Sequence, residues 1–195
     1  AVLAGTNEQI VVITGGPGTG KTTIIKAILK IFKNQRLKCM LMAPTGRAAK
    51  RITEATGEEA KTIHRMLEVM WDKNDQPVFM RNEKNTLECD ALVIDELSMV
   101  DSQLFESVLK ALPLGCRLIM VGDSDQLPSV GAGNVLGDLI ASEKIPVVQL
   151  NEIFRQSMQS LIVTNAHRIV KGEQPIIYGD GDQICGCYGT KIRRK

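Results

Sequence analysis

Residues 10–23 read Ile-Val-Val-Ile-Thr-Gly-Gly-Pro-Gly-Thr-Gly-Lys-Thr-Thr. An apolar, β-branched run passes into a glycine-rich turn, and the turn passes into a stretch with helical periodicity. The succession strand, loop, helix carries G-x-x-x-x-G-K-[ST] over residues 15–22. Glycines let the backbone close into a nest of N–H groups around phosphate oxygens, and a helix starting near Gly20 adds the positive end of its dipole. Gly16, Pro17, Gly18, Thr19, Gly20, Lys21, Thr22 and Thr23 are therefore the expected phosphate-holding residues. Lys21 is expected to reach the β- and γ-phosphates of ATP as a point charge, and the Thr22 hydroxyl to coordinate Mg²⁺.

A second stretch, Ala91-Leu92-Val93-Ile94-Asp95-Glu96, is an apolar strand ending in two acids. Carboxylates at the carboxyl end of a strand point into the crevice where open α/β sheets bind ligands. Asp95 is expected to hold Mg²⁺ through its water shell, and Glu96 to polarise an attacking water. Acids at a strand end are common, so this feature gains its meaning from the glycine loop.

Further apolar runs at residues 38–43, 117–121 and 146–150 lack clean alternation, which suits strands covered on both faces. Helical patterns over 20–34, 47–56, 62–69, 102–111, 134–142 and 158–171 intervene. Strands alternating with helices predict a mostly parallel sheet with helices on both faces, an α/β fold. Residues 71–86, with their polar centre, read as a surface excursion built on a small hairpin. Residues 1–172 are expected to form the ordered domain. From about Gly179 the pattern dissolves into Gly and polar residues, so 173–195 reads as a tail, disordered or out of its native context.

The bulk properties agree. A chain of 195 residues with 44% hydrophobic content can bury one full core. It has no apolar run of the ~18 residues a membrane span needs and no basic-then-apolar leader, which predicts a cytoplasmic protein with no membrane partner. Its five cysteines, an odd number, imply no disulfide framework, since Cys39, Cys89 and Cys116 sit in or beside apolar runs. Cys185 and Cys187 lack the further Cys or His a tetrahedral metal site needs. Net charge is only +2, yet residues 1–53 hold nine Lys/Arg against one acid, Glu8, giving +8, and the remainder carries −6. Lys26, Lys30 and Lys33 fit a solvated helix face; Arg47, Lys50 and Arg51 fit it less well.

Other segments bear on the work the ATP site drives. Ala43-Pro44-Thr45-Gly46-Arg47-Ala48-Ala49-Lys50-Arg51 follows the second run and places a hydroxyl and several cations at its end. Thr62-Ile63-His64-Arg65 is another polar and basic cluster. A strand over 117–121 leads into Gly122-Asp123-Ser124-Asp125-Gln126-Leu127-Pro128-Ser129-Val130-Gly131-Ala132-Gly133, and Phe154-Arg155-Gln156 follows the last strand. In this order and spacing the segments resemble the superfamily 1 DNA helicases, most closely the RecD-like branch that includes the alpha chain of exodeoxyribonuclease V. The resemblance covers residues 1–172 and implies a RecA-like P-loop NTPase fold.

It also implies an ATP-dependent DNA helicase motor in recombination and repair, moving 5′→3′. Gln126 matches the residue that links the γ-phosphate to the DNA-binding loops, and Arg155 the one that contacts the γ-phosphate. Thr45, Arg47, Thr62, His64 and Arg65 match segments that touch single-stranded DNA. Such contacts would be salt-sensitive and largely independent of base sequence. His64 reads equally well as a capping or core histidine, and Arg51 and Arg65 as surface residues.

The chain departs from the family pattern at both ends. No second strand and helix series with a P-loop character follows Lys171, so the partner RecA-like domain is expected elsewhere in a parent chain. Ala1-Val2 resembles the end of the family's adenine-reading motif, and Gln9 stands too close to Lys21 to take that part. A first motor domain alone is expected to bind Mg–ATP weakly and hydrolyse it poorly; other subunits of a recombination nuclease complex are further candidate partners. A switch-type ATPase regulated by DNA without translocation is the competing reading, ahead of a clamp-loader ATPase and a small-molecule kinase.

Overall fold

The computed structural model describes residues 1–73, 77–152 and 161–176. Six strands, β1 (Ile10–Gly15), β2 (Cys39–Ala43), β3 (Ala60–Thr62), β6 (Ala91–Ile94), β7 (Arg117–Gly122) and β8 (Val147–Leu150), form one sheet in the order β3-β2-β6-β7-β1-β8. Every neighbouring pair is parallel. The strand ends that carry the motifs therefore share one edge of the sheet.

Alternation along the strands explains why the sequence showed continuous apolar runs. Val11, Ile13, Leu41, Ala91, Val93, Ile119 and Val121 face one side, where Ile25, Ile28, Leu29 and Phe32 of α2 (Lys21–Asn34) and Ile52 of α3 (Gly46–Thr56) cover them. Val12, Met42, Leu92, Ile94, Leu118 and Met120 face the other. There they meet Ile63 of α4 (Ile63–Met66), Val108 and Ala111 of α5 (Ser102–Ala111), and Val135 and Leu136 of α6 (Val135–Ala141). Both faces are buried, as expected for a parallel sheet with helices on each side.

Two elements escaped the sequence pattern. Helix α1 (Val2–Asn7) has only six residues and no side-chain cap, so it carries neither period nor start signal. It is held by packing: a Cβ on Gly5 would lie 2.5 Å from Ile28 Cδ1. Arg117 also ties it down, donating from Nη1 to the Thr6 carbonyl while its guanidinium sits 5.9 Å from the Phe32 ring centre. Strand β3 takes Thr62 from the helix expected at 62–69, and Val69 belongs to β4 (Val69–Trp71), leaving only α4 between them. Strand β4 pairs antiparallel with β5 (Pro77–Phe79), the expected hairpin.

Helix α7 (Leu161–Val170) falls within the last expected helix. Most of the expected tail, including Cys185 and Cys187, lies outside the described residues. Cys39, Cys89 and Cys116 are free thiols, the last two buried with their Sγ atoms 3.7 Å apart. Burial pushes the Cys39 thiol up to about 11. Among the described residues no helix is long and apolar enough to cross a membrane.

Candidate nucleotide and nucleic-acid site

The loop between β1 and α2 turns on two glycines in the left-handed region, Gly18 at φ 78° and Gly20 at φ 84°. Thr19 is buried within it and donates from Oγ1 to the Gly16 carbonyl at 2.8 Å. The Lys21 ammonium folds back over the loop, donating to the carbonyls of Gly15 at 2.5 Å and Gly16 at 3.0 Å. A cation positioned there faces the same crevice as the loop's N–H groups. Thr22 is half-buried at the first turn of α2, and Thr23 is exposed. Pro17 has a partner that the sequence did not signal. His167 of α7 lies 2.9 Å from its carbonyl oxygen through Nε2. A carbonyl only accepts, so Nε2 carries the proton.

Asp95 and Glu96 emerge at the end of β6, two strands away from β1, and both are buried, with 3% and 9% of their surface exposed. Glu96 adopts φ 56° and ψ 43°. Among the described residues four non-glycines have positive φ; Arg36, Glu68 and Glu143 are exposed, and only Glu96 is buried. A side chain held there costs of order 1–2 kcal/mol, a strain that recurs at functional sites. Burial, then the neighbouring Glu96 charge, pushes the Asp95 carboxyl up, against the pull of Arg51 and Lys21. Asp95 Oδ2 and Glu96 Oε2 are buried without a hydrogen-bond partner.

Those two oxygens, with the Thr22 hydroxyl, supply the hard oxygen donors that Mg²⁺ prefers. A buried carboxylate oxygen that accepts no hydrogen bond is costly unless cations compensate it, so the residues fit the ion that the sequence implied. Arg51 already approaches this acid pair. Its Nη2 makes a close contact with Glu96 Oε1 and lies 3.7 Å from Asp95 Oδ2.

The loop after β7 is bound to the same edge. Asp123, 1% exposed, accepts from Gln126 Nε2 at 3.3 Å, and the Ser124 N–H donates to Thr14 Oγ1 at 3.3 Å. Farther on, the Ser102 N–H donates to the Ala132 carbonyl at 3.0 Å, fastening the loop to the start of α5. Glycine is required there: a Cβ on Gly131 would lie 2.7 Å from Asp101 Cβ.

An open cavity of about 790 Å³ joins Thr45, Arg47, Lys50 and Arg51 of the β2–α3 segment to Glu96 and Gln126. Thr45 caps α3, accepting from the Ala48 N–H at 3.2 Å, which leaves its own O–H to donate. Thr62 stands at the same edge, paired in register with Ala43, and caps α4 by accepting from the Arg65 N–H at 3.2 Å. His64 is exposed and its ring centre lies 5.9 Å from that of Phe79 in the hairpin. Arg65 is not brought to this cavity; it lines a separate one of about 200 Å³ with Met40, Leu87 and Glu88. Arg155 lies outside the described residues.

A parallel α/β sheet with this loop and this acid pair at one edge is the RecA-like P-loop architecture. The chain belongs to the AAA domain family, whose profile matches residues 1–132. It is similar to the ATP-dependent RecD2 DNA helicase of Deinococcus radiodurans, with 40% identity over 91% of this chain and 24% of that protein. It is likewise similar to the RecBCD enzyme subunit RecD of Mycolicibacterium smegmatis, with 35% identity over 80% of this chain and 32% of that protein. The Pif1 helicase from Candida albicans has a similar structure, with a TM-score of 0.62 and 27% identity over 89% of this chain and 42% of that one. The chain thus spans about a quarter to a third of the two curated relatives.

Proposed function

We propose that residues 1–172 are the first motor domain of an ATP-dependent DNA helicase of RecD type, coupling ATP hydrolysis to 5′→3′ movement along single-stranded DNA. The observation that supports this most is the shared sheet edge. It gathers the glycine loop, the buried acids and Gln126, and it opens into a cavity that also holds Thr45 and Arg47.

In this reading the N–H groups of Gly16 and of Gly18–Thr23 and the Lys21 ammonium bind and orient the phosphates, with Pro17 shaping the loop. Thr22 and Asp95 hold Mg²⁺, which when bound would neutralise charge on the β- and γ-phosphates. Glu96 orients the attacking water and accepts its proton. Gln126, held by Asp123, is placed to report the γ-phosphate to the loops at the cavity, and Arg155 stabilises charge developing on the transferred group. Thr45 and Arg47 take DNA phosphates, with Thr62 and His64 along the neighbouring edge, whereas Arg65 lines the separate cavity and takes no part. A second RecA-like domain closes the site, so the domain alone binds Mg–ATP weakly and turns it over poorly. The RecBCD subunits among the relatives make a recombination nuclease complex a candidate assembly.

The test is ATP turnover by the full-length protein carrying this domain, with and without single-stranded DNA, beside residues 1–195 alone. Strong stimulation by DNA in the full-length protein, with little turnover by the fragment, is the expected result. Turnover indifferent to DNA would overturn the motor reading.

A further inference from the structure

We propose that Arg51 is a positioning residue for hydrolysis: its guanidinium holds Glu96 off the attacking water until a nucleic-acid phosphate entering the adjoining cavity draws it away. The inference rests on Glu96 being the proton acceptor, as proposed above.

Arg51 follows Arg47 by one helical step of four residues on α3, which puts the two cations on the same face. The opposite face of α3, with Ala48, Ala49 and Ile52, is buried against the sheet. Arg51 therefore projects toward the cavity, and its Nη2 closes on Glu96 Oε1. The burial of the pair is asymmetric. The Arg51 side chain is 60% exposed, whereas that of Glu96 is 12% exposed. The buried Glu96 side chain has little room to follow a departing partner. The arginine, with a long stem and open surroundings, is the partner that moves.

The cavity gives it somewhere to go. Thr45, Arg47 and Lys50 line it alongside Arg51, a hydroxyl and three cations suited to a phosphodiester. A guanidinium fork matches phosphate as well as carboxylate, so an arriving phosphate competes directly with Glu96 for the same N–H groups. Lys50 is a poorer competitor, because its ammonium lies 3.9 Å from Glu54 on the same helix. Glu96 Oε1 is engaged by Arg51 and Oε2 is buried from solvent, so neither oxygen is open to take a proton from water. Once Oε1 is released, water attacks the γ-phosphorus, the bond to the β-phosphate bridging oxygen breaks with its electron pair leaving on ADP, and Glu96 accepts the water proton.

Coupling between two sites is reciprocal, so a bound nucleotide that engages Glu96 also frees Arg51 for DNA. The coupling thus needs no rearrangement of the sheet, only the exchange of one side chain between two anions.

The experiment measures kcat and KM for ATP in the full-length protein carrying this domain, without DNA and with saturating oligo(dT), for wild type and Arg51→Ala. Arg51→Ala is expected to raise DNA-free kcat about fivefold or more, the lower range of site-to-site coupling, with KM for ATP within about twofold. The stimulation by oligo(dT) should fall toward one. Loss of a purely structural contact would instead lower kcat or leave it alone. An unchanged or reduced DNA-free kcat, with ATP affinity intact, overturns the proposal. Should Arg51→Ala fail to fold by circular dichroism, Arg51→Gln, which keeps length and N–H donors without the charge, carries the same two outcomes. Glu96→Gln separates the layers. Persistent turnover in Glu96→Gln overturns the base assignment, whereas lost turnover beside an unaltered Arg51→Ala overturns the Arg51 inference alone.

Discussion

Replacing Gly15 by alanine should destabilise the domain and loosen the phosphate loop together, because one Cβ would intrude on both. Gly15 ends β1 and pairs in register with Leu150 of β8. A Cβ there would lie 2.8 Å from Leu150 Cβ, 2.9 Å from the Leu150 carbonyl oxygen and 2.8 Å from Thr19 Oγ1. The first two atoms belong to the neighbouring strand rather than to the end of a flexible side chain, so β8 must move. Thr19 is 5% exposed and bonded to the Gly16 carbonyl, so its retreat disturbs the turn that presents Lys21. Overpacking of this kind costs about 1–3 kcal/mol. With a urea m-value of ~1–3 kcal/mol/M, the midpoint should fall by roughly 1 M. Gly46→Ala is the matched control. A Cβ at Gly46, the first residue of α3, meets nothing within 4 Å, and alanine should be neutral or stabilising there by up to about 1 kcal/mol. Urea unfolding followed by circular dichroism, with titration of a fluorescent ATP analogue, reads both effects. A Gly15→Ala midpoint equal to wild type, or a larger loss from Gly46→Ala, would refute the reasoning from these distances.

Three further outcomes are expected. Lys21→Ala removes the ammonium over the loop, and isothermal titration should show ATP affinity reduced about 100-fold or more with little change in Tm, since truncating one partner of a close charge pair costs about 2–5 kcal/mol. Asp95→Asn should raise thermal stability at neutral pH by about 0.5–2 kcal/mol, the usual gain from relieving a functional site. The sign follows from its raised carboxyl: the folded state favours the protonated form, so the Asp95 contribution is fullest below the ordinary carboxylate range and is lost as pH rises through the folded value. The gap between wild type and Asp95→Asn should therefore close at low pH, and a gap that widens in acid would contradict the cause given. Chelating Mg²⁺ should weaken ATP binding more in wild type than in Asp95→Asn.

The fold was legible because its two signals are local and redundant. A parallel strand buried on both faces must be apolar throughout, and a loop that wraps phosphate must be rich in glycine, so β1, β2, β6, β7 and β8 each announced themselves. The short elements were not legible, for the same reason: α1 and β3 have too few residues to express a period, and they exist through contacts with Ile28 and with β2. In the candidate site, Lys21 could be named from the glycine-loop motif, and Asp95 and Glu96 from their position at a strand end. The pairing of Arg51 with Glu96 could not, since it joins residues 45 positions apart and a surface arginine on a helix is the commoner case. The spacing of four residues from Arg47 was the one available hint. His167 gave none, because its partner is a backbone carbonyl 150 positions away.

The places where the chain breaks its own local rules bear on the site independently of any motif. Four helices close their first turn with a side chain: Thr45 for α3, Thr62 for α4, Asp101 for α5 and Asn134 for α6. Helix α2, the longest described, starts instead at Gly20, which has no side chain to accept from the first N–H groups. A long helix whose opening donors are left for an outside acceptor, with a lysine at its first position, is an anion site by construction. Across the same edge the opposite rule is broken. Two acids are buried side by side, each with an oxygen that accepts no hydrogen bond, and one sits in a backbone region that glutamate avoids. Donors awaiting an anion and acceptors awaiting a cation or a proton, held a strand apart, are the complementary halves that the proposed phosphoryl-transfer site requires. Among the contacts described, Arg51 is the side chain that reaches from the open cavity to both acids, which is why the proposed coupling of DNA to hydrolysis needs the exchange of a single guanidinium.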